Sequence, residues 1–111
     1  MPPILKVSCL EEGPALRVLC TGAINSYSCM DLQAQLNNDT WEDFETVLLD
    51  LKGVDYVDSA GLAALMVFYR EAKRGGCRFQ IVNYNSLVEE VAQRLGLFER
   101  LEMNPADRRP N

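Results

Sequence analysis

The sequence predicts an α/β fold with one mixed β-sheet and helices packed on it. Three observations carry this. Four short apolar runs, at 5–10, 15–21, 46–51 and 77–83, have the length and alternation of strands. Longer segments between and after them repeat apolar residues at helical spacing. The resulting order, β-β-α-β-α-β-α with a possible final strand, has the strand-helix-strand rhythm of right-handed crossovers and parallel pairing. With 111 residues and no repeat, linker or low-complexity tract, the expectation is one domain over 1–111 with a core over about 4–104.

The first two runs, LKVSCL and ALRVLCT, flank Glu11-Glu12-Gly13-Pro14 and read as a hairpin, which makes the sheet mixed. In the second run Leu16, Val18 and Cys20 alternate with Arg17, Leu19 and Thr21. After Gly22, either Asn25 or Ser26 is suited to cap a helix in which Cys29, Leu32 and Leu36 form one stripe. Asn37-Asn38-Asp39 is expected to end it, with Trp41 in a polar loop as a lid on the core's edge. TVLLDL (46–51), with Asp50 its only charge, reads as a central strand covered on both faces and broken by Gly53. The clearest helix is SAGLAALMVFYREAKRGG. Leu62, Leu65, Met66 and Tyr69 make its apolar stripe, Lys73 and Arg74 suit the negative end of its dipole, and Gly75-Gly76 suits its C-cap. CRFQIVN alternates as a strand. SLVEEVAQRLG opens with Ser86 and Glu89 at capping-box spacing and closes at Gly96. Leu97 and Phe98 are expected to fold back on the core. RLEM (100–103) is a candidate edge strand, and 105–111 a loose polar tail.

Composition removes several functions. The net charge is −5, and the lysines and arginines are scattered, with Arg108-Arg109 too short a run to form a phosphate-binding footprint, so no direct nucleic-acid contact is expected. The four cysteines form no C-x-x-C pair, which excludes a zinc ribbon or thioredoxin-type motif. Reduced cysteines, no signal-peptide pattern and no apolar run of membrane length make the expectation a cytoplasmic protein without membrane insertion. The chain has no histidine, so neither a Ser-His-Asp nor a Cys-His catalytic unit can be assembled, and histidine-ligated metal sites are excluded. No P-loop pattern is present. The expectation is no enzyme, no metal and no cofactor.

Chemistry therefore concentrates on DYVDSAGLAAL, where Ser59 follows Asp58 at a helix start. A nucleophile elbow requires G-x-S-x-G, and here Val57 holds the first glycine's place with no histidine to act as base. An N-cap suits either Asp58 or Ser59. A switch uses the same place: a phosphoryl group on Ser59 adds about −1.5 to −2 charges, which a helix N-terminus tolerates, so its effect falls on whatever docks there. Asp58, and Asp55 with it, would sharpen that repulsion. Gly61, a glycine inside the first turn, suggests that a backbone or ligand comes close.

TVLLDLKGVDYVDSAGLAALM resembles the central strand-loop-helix of the STAS domain of bacterial anti-sigma factor antagonists. VLCTGAINSYSCMDLQAQL is similar to the family's strand, Gly-x-Ile/Leu-Asp and helix, and GCRFQIVNYNSLVEEVAQRLGLFERLEM to its closing strand and helix. Together these cover about 4–104. The resemblance implies that Ser59 is phosphorylated by a partner anti-sigma factor, a serine kinase of the GHKL type. The unphosphorylated antagonist binds this kinase and frees the sigma factor. The phosphorylated form lets go, and a metal-dependent serine phosphatase resets it. The implied partner-binding residues are Asn25, Ser26, Asp58, Ser59, Ala60, Gly61 and Leu62. Two positions depart from the family pattern: Asn25 stands where an Asp is usual, and Ala60 replaces a second serine. Related domains imply an alternative, a cytoplasmic STAS subunit bracing the ATPase of a lipid transporter. Tails of anion transporters also carry such domains.

Overall fold

Gly13, at φ +60°, lets the chain reverse between β1 (Leu5–Glu12) and β2 (Ala15–Ile24), and the two pair antiparallel from Leu5↔Gly22 to Glu12↔Ala15. The computed structural model describes residues 5–110. Next come α1 (Cys29–Gln35), α2 (Asn38–Asp43), β3 (Thr46–Val57), α3 (Ser59–Arg74), β4 (Arg78–Val82) and α4 (Ser86–Arg94). β3 lies parallel to both β2 and β4, so the sheet is mixed, in the order β1-β2-β3-β4.

Alternation decides which face of the sheet is covered. Leu16, Val18 and Cys20 of β2, Val47, Leu49 and Leu51 of β3, and Phe79 and Ile81 of β4 are all buried. They join one cluster with Leu62, Leu65, Met66, Tyr69 and Ala72 of α3 and Val88 and Ala92 of α4. Each fully buried Leu or Val there contributes about 1.5–3 kcal/mol relative to exposure. The four cysteines are unpaired, and burial pushes the Cys20 thiol up to about 12, with the Asp50 charge adding to the effect.

The other face corrects the expectation of a strand covered on both sides. Arg17, Leu19, Leu48, Gln80 and Val82 are only half-buried there, and Leu10 is exposed. Asp50 is 4% exposed, sealed by polar partners: Arg17 Nη1 (2.8 Å), Asn83 Nδ2 (3.1 Å) and the Lys52 N–H (3.0 Å) all donate to it. Burial alone would raise its pKa. Those donors, with the Arg17 charge, outweigh burial and hold the carboxyl below its usual range.

Other elements also differ from the sequence reading. α1 ends at Gln35, and Asn37 does not stop a helix but starts one: its side chain accepts from the Asp39 and Thr40 amides and caps α2. Trp41 lies in α2, buried edge-on to Phe79, so its part as a cover for the core stands while the loop does not. β3 runs through Gly53 to Val57 because β2 and β3 shift register there and the glycine lies against Thr21. α4 is capped by Asn85, whose side chain accepts from the Val88 N–H (2.9 Å), rather than by a Ser86–Glu89 box. Residues 100–103 turn instead of forming a strand: Glu102 takes φ +54°, and the Leu101 N–H bonds back to Leu97. Finally, 105–110 is not loose. Pro105–Asp107 is a short 3-10 turn, Arg108 bridges to Tyr84, and Arg109 is half-buried.

Candidate functional site

The ends of β2 and β3 meet side by side, Ala23 opposite Tyr56 and Ile24 opposite Val57. The loop after β2 and the start of α3 therefore share one end of the sheet. The Ile24 carbonyl joins them by accepting the Asp58 N–H (3.2 Å).

Capping of α3 falls to Asp58. Its backbone is extended and its carboxylate accepts the Gly61 N–H at 2.7 Å, while its carbonyl accepts the Leu62 N–H. Ser59 is the first helical residue and is exposed. Among the described residues, none hydrogen-bonds its hydroxyl. Its amide and that of Ala60 fall among the N-terminal groups that an α-helix cannot pair internally. An exposed hydroxyl thus stands at the positive end of a 16-residue helix.

Gly61 is buried, and its neighbour is backbone rather than ligand. A Cβ there would run into the Ile24 carbonyl oxygen and approach the carbonyl carbon to 2.9 Å. Leu62 is fully buried in the core. Of the seven residues carried over as partner-binding, these two shape the site from beneath. Ser26, Ser59 and Ala60 are exposed, and Asn25 and Asp58 half-buried.

Asn25 builds the facing loop. Its side-chain oxygen accepts the Tyr27 and Ser28 amides, each at 2.9 Å, and its carbonyl accepts the Cys29 N–H. Ser28, which is buried, donates to Ala23 O (2.7 Å) and accepts the Asn25 N–H (2.9 Å). α1 therefore starts at Cys29, a turn later than a cap at Asn25 or Ser26 implies, with Asn25 capping the turn before it. An aspartate would accept the same two amides, so Asn25 keeps the geometry and omits the charge. Around this loop stand residues the sequence did not single out: Tyr27 (77% exposed), Met30 (66%) and, paired opposite Ala23, Tyr56 (50%). Their exposure was not legible, because a lone Tyr or Met has no periodicity of its own.

Among the described residues, a cleft of about 320 Å³ is lined by Gln93, Gly96, Phe98 and Glu99, none of them part of the Ser59 turn. Ser59 itself is exposed.

A model of the STAS domain matches residues 10–107. The chain belongs to the STAS domain family. Solved structures of the same fold include an anti-sigma factor antagonist from Mycobacterium paratuberculosis, with TM-score 0.79 and 17% identity, covering 95% of this chain and 89% of that one. The antagonist SpoIIAA in its unphosphorylated form gives TM-score 0.72 at 15% identity, covering 89% and 88%. Its phosphorylated form, from Bacillus, gives 0.67 at 14%, covering 89% and 91%. A sulfate transporter family protein from Wolinella succinogenes gives 0.71 at 18%, covering 83% and 75%. As a STAS domain, this chain carries its Asp-Ser-Ala-Gly-Leu motif on the turn from β3 to α3.

Proposed function

We propose that this STAS domain is an anti-sigma factor antagonist whose affinity for its partner is set by phosphorylation of Ser59. The unphosphorylated form binds an anti-sigma factor that is itself a serine kinase, and so frees the sigma factor. Phosphorylation ends that binding, and a serine phosphatase restores it. The domain catalyses nothing itself and acts in the cytoplasm.

One observation carries the reading: among the described residues, none hydrogen-bonds the Ser59 hydroxyl. Asp58 already caps the helix, leaving Ser59 exposed and free to be modified. A phosphoryl group at that position faces the unpaired amides and positive dipole end of α3, so the domain stays folded. The charge acts outward, on a partner seated over Tyr27, Met30 and Tyr56. Exposed aromatic and methionine side chains suit a protein interface. The fold shared with antagonists, one of them solved in both phosphorylation states, supports the same reading.

The test uses purified serine-kinase anti-sigma factors from the source organism with Mg-ATP. Mass spectrometry should find one phosphate, on Ser59. Ser59→Ala should still bind the kinase without taking up phosphate, and Ser59→Asp should bind it more weakly. An unlabelled Ser59 with a kinase active on its own antagonist would refute the reading. Co-purification with an ABC-type ATPase would instead favour the lipid-transport role.

A further inference from the structure

We infer that Arg109 is the positioning residue for the turn that carries Ser59, reaching it from the C-terminal end of the chain. β3 outruns its neighbour. Its pairing with β4 stops at Asp50↔Val82, yet β3 continues to Val57. Among the described residues no strand lies beside its outer edge from Leu51 onward, and the carbonyls there need other donors. Arg109 supplies them. Its Nη2 donates to Leu51 O (2.7 Å) and Val54 O (3.1 Å), and its Nε to Asn83 O (3.4 Å). Its Nη1 lies 3.6 Å from the Asp55 carboxylate. Asn85 Nδ2 adds a bond to the Asp55 carbonyl (3.3 Å). A planar guanidinium with five donors suits three carbonyls and a carboxylate at once, whereas a lysine ammonium does not.

Residues 104–109 are anchored so as to bring Arg109 there. The Asn83 N–H donates to Asp107 O and the Arg109 N–H to Tyr84 O, each at 2.7 Å, and the Tyr84 hydroxyl donates to Asn104 O (2.6 Å). The held stretch, 51–55, leads directly into Asp58 and Ser59. From the opposite side the Ile24 carbonyl holds the Asp58 N–H. The Ser59 turn is thus gripped between β2 and the C-terminal segment. The STAS match ends at residue 107, so Arg109 lies beyond the part of the chain that the family model matches. For function, this inference rests on the switch reading: the strap fixes the geometry in which Ser59 is offered to a kinase.

Hydrogen exchange on the intact chain, read by mass spectrometry, tests the positioning without any partner. Arg109→Ala should speed exchange across 51–61 at least tenfold while 16–20 and 65–72 keep their wild-type rates. Arg109→Lys should recover only part of the protection, because an ammonium pairs with Asp55 but does not bridge the carbonyls. Unchanged exchange at 51–61 overturns the inference, and so does uniform acceleration along the chain. Should the alanine variant fail to fold, the lysine variant carries the same comparison. With an active anti-sigma kinase and Mg-ATP, Arg109→Ala should lower kcat/KM for Ser59 phosphorylation about tenfold, with Arg109→Lys in between. A labelled wild type with equally good variants removes the functional role of Arg109 alone. An unlabelled wild type removes the switch reading and leaves the exchange result to decide the positioning.

Discussion

Asp58 and Ser59 are adjacent but have different tasks, and substitution separates them. Asp58→Ala removes the cap on the Gly61 amide and should destabilise the domain by about 1 kcal/mol. Ser59→Ala removes an exposed hydroxyl with no described partner and should stay within about 0.5 kcal/mol of wild type. Urea denaturation of both reads the difference, and equal losses would mean that Ser59 shares the capping. Gly61→Ala should cost about 1–3 kcal/mol, because the new methyl meets the Ile24 carbonyl. The sequence showed that something approaches Gly61, since alanine suits a helix better. That the neighbour is Ile24 was not legible, because it lies 37 positions away and is brought there by sheet register. Asn25 was legible as a cap through its type alone. Its actual bonds, to Tyr27 and Ser28, place it one turn earlier than a helix cap.

Among the elements, β3 departs furthest from its local signals. Its apolar run suggested a strand ending near Gly53 and buried on both sides. In the sheet, a register shift carries it to Val57, and on the second face Asp50 forms a polar cluster with Arg17, Asn83 and, through Arg17, Glu12, beside half-buried Leu19, Leu48 and Val82. A single charge in an apolar run does not reveal its partner, so this cluster was hidden. Asp50→Asn leaves donors poorly paired and should cost about 1–3 kcal/mol at neutral pH. The Arg17 share is at the low end of ion-pair strength, since that side chain is 27% exposed and also pairs with Glu12. The pH dependence follows from the depressed Asp50 pKa. The stabilisation is fully present above the unfolded carboxyl's pKa, about 4, and is lost as pH falls through the lower folded value. Urea midpoints from pH 7 down to pH 2 should therefore converge for wild type and Asp50→Asn. A constant gap would mean that the carboxylate charge contributes nothing.

At the scale of the molecule, elements with strong periodicity were legible: the hairpin, β4, and α3 with the face that enters the core. The misread elements hold their places through distant contacts. α2, at 6 residues, is too short to show a period, and exists because Asn37 caps it and Trp41 reaches the core. The C-terminal segment has the composition of a loose tail, with two prolines and few apolar residues. Residues 105–110 are held by polar contacts that follow from no local pattern: Asp107 and Arg109 to the β4 exit, Gln80 to Asp107 (2.8 Å), the Arg109 guanidinium to β3, and ion pairs of Arg108 with Glu89 and Arg109 with Asp55. Deleting 105–111 should therefore lower stability, although no large apolar side chain is lost with it. The deletion leaves the carbonyls of Leu51, Val54 and Tyr84 without these donors and frees the Asn83 amide and the Gln80 side chain. Solvent reaches some of them, so the loss should be about 2–3 kcal/mol rather than the sum of the individual bonds. For a domain of this size that corresponds to a fall of roughly 10–20 °C in Tm. Calorimetry on the truncated chain measures it directly. An unchanged Tm would return the segment to the loose tail its composition suggests and would leave Arg109 without an anchored backbone from which to act.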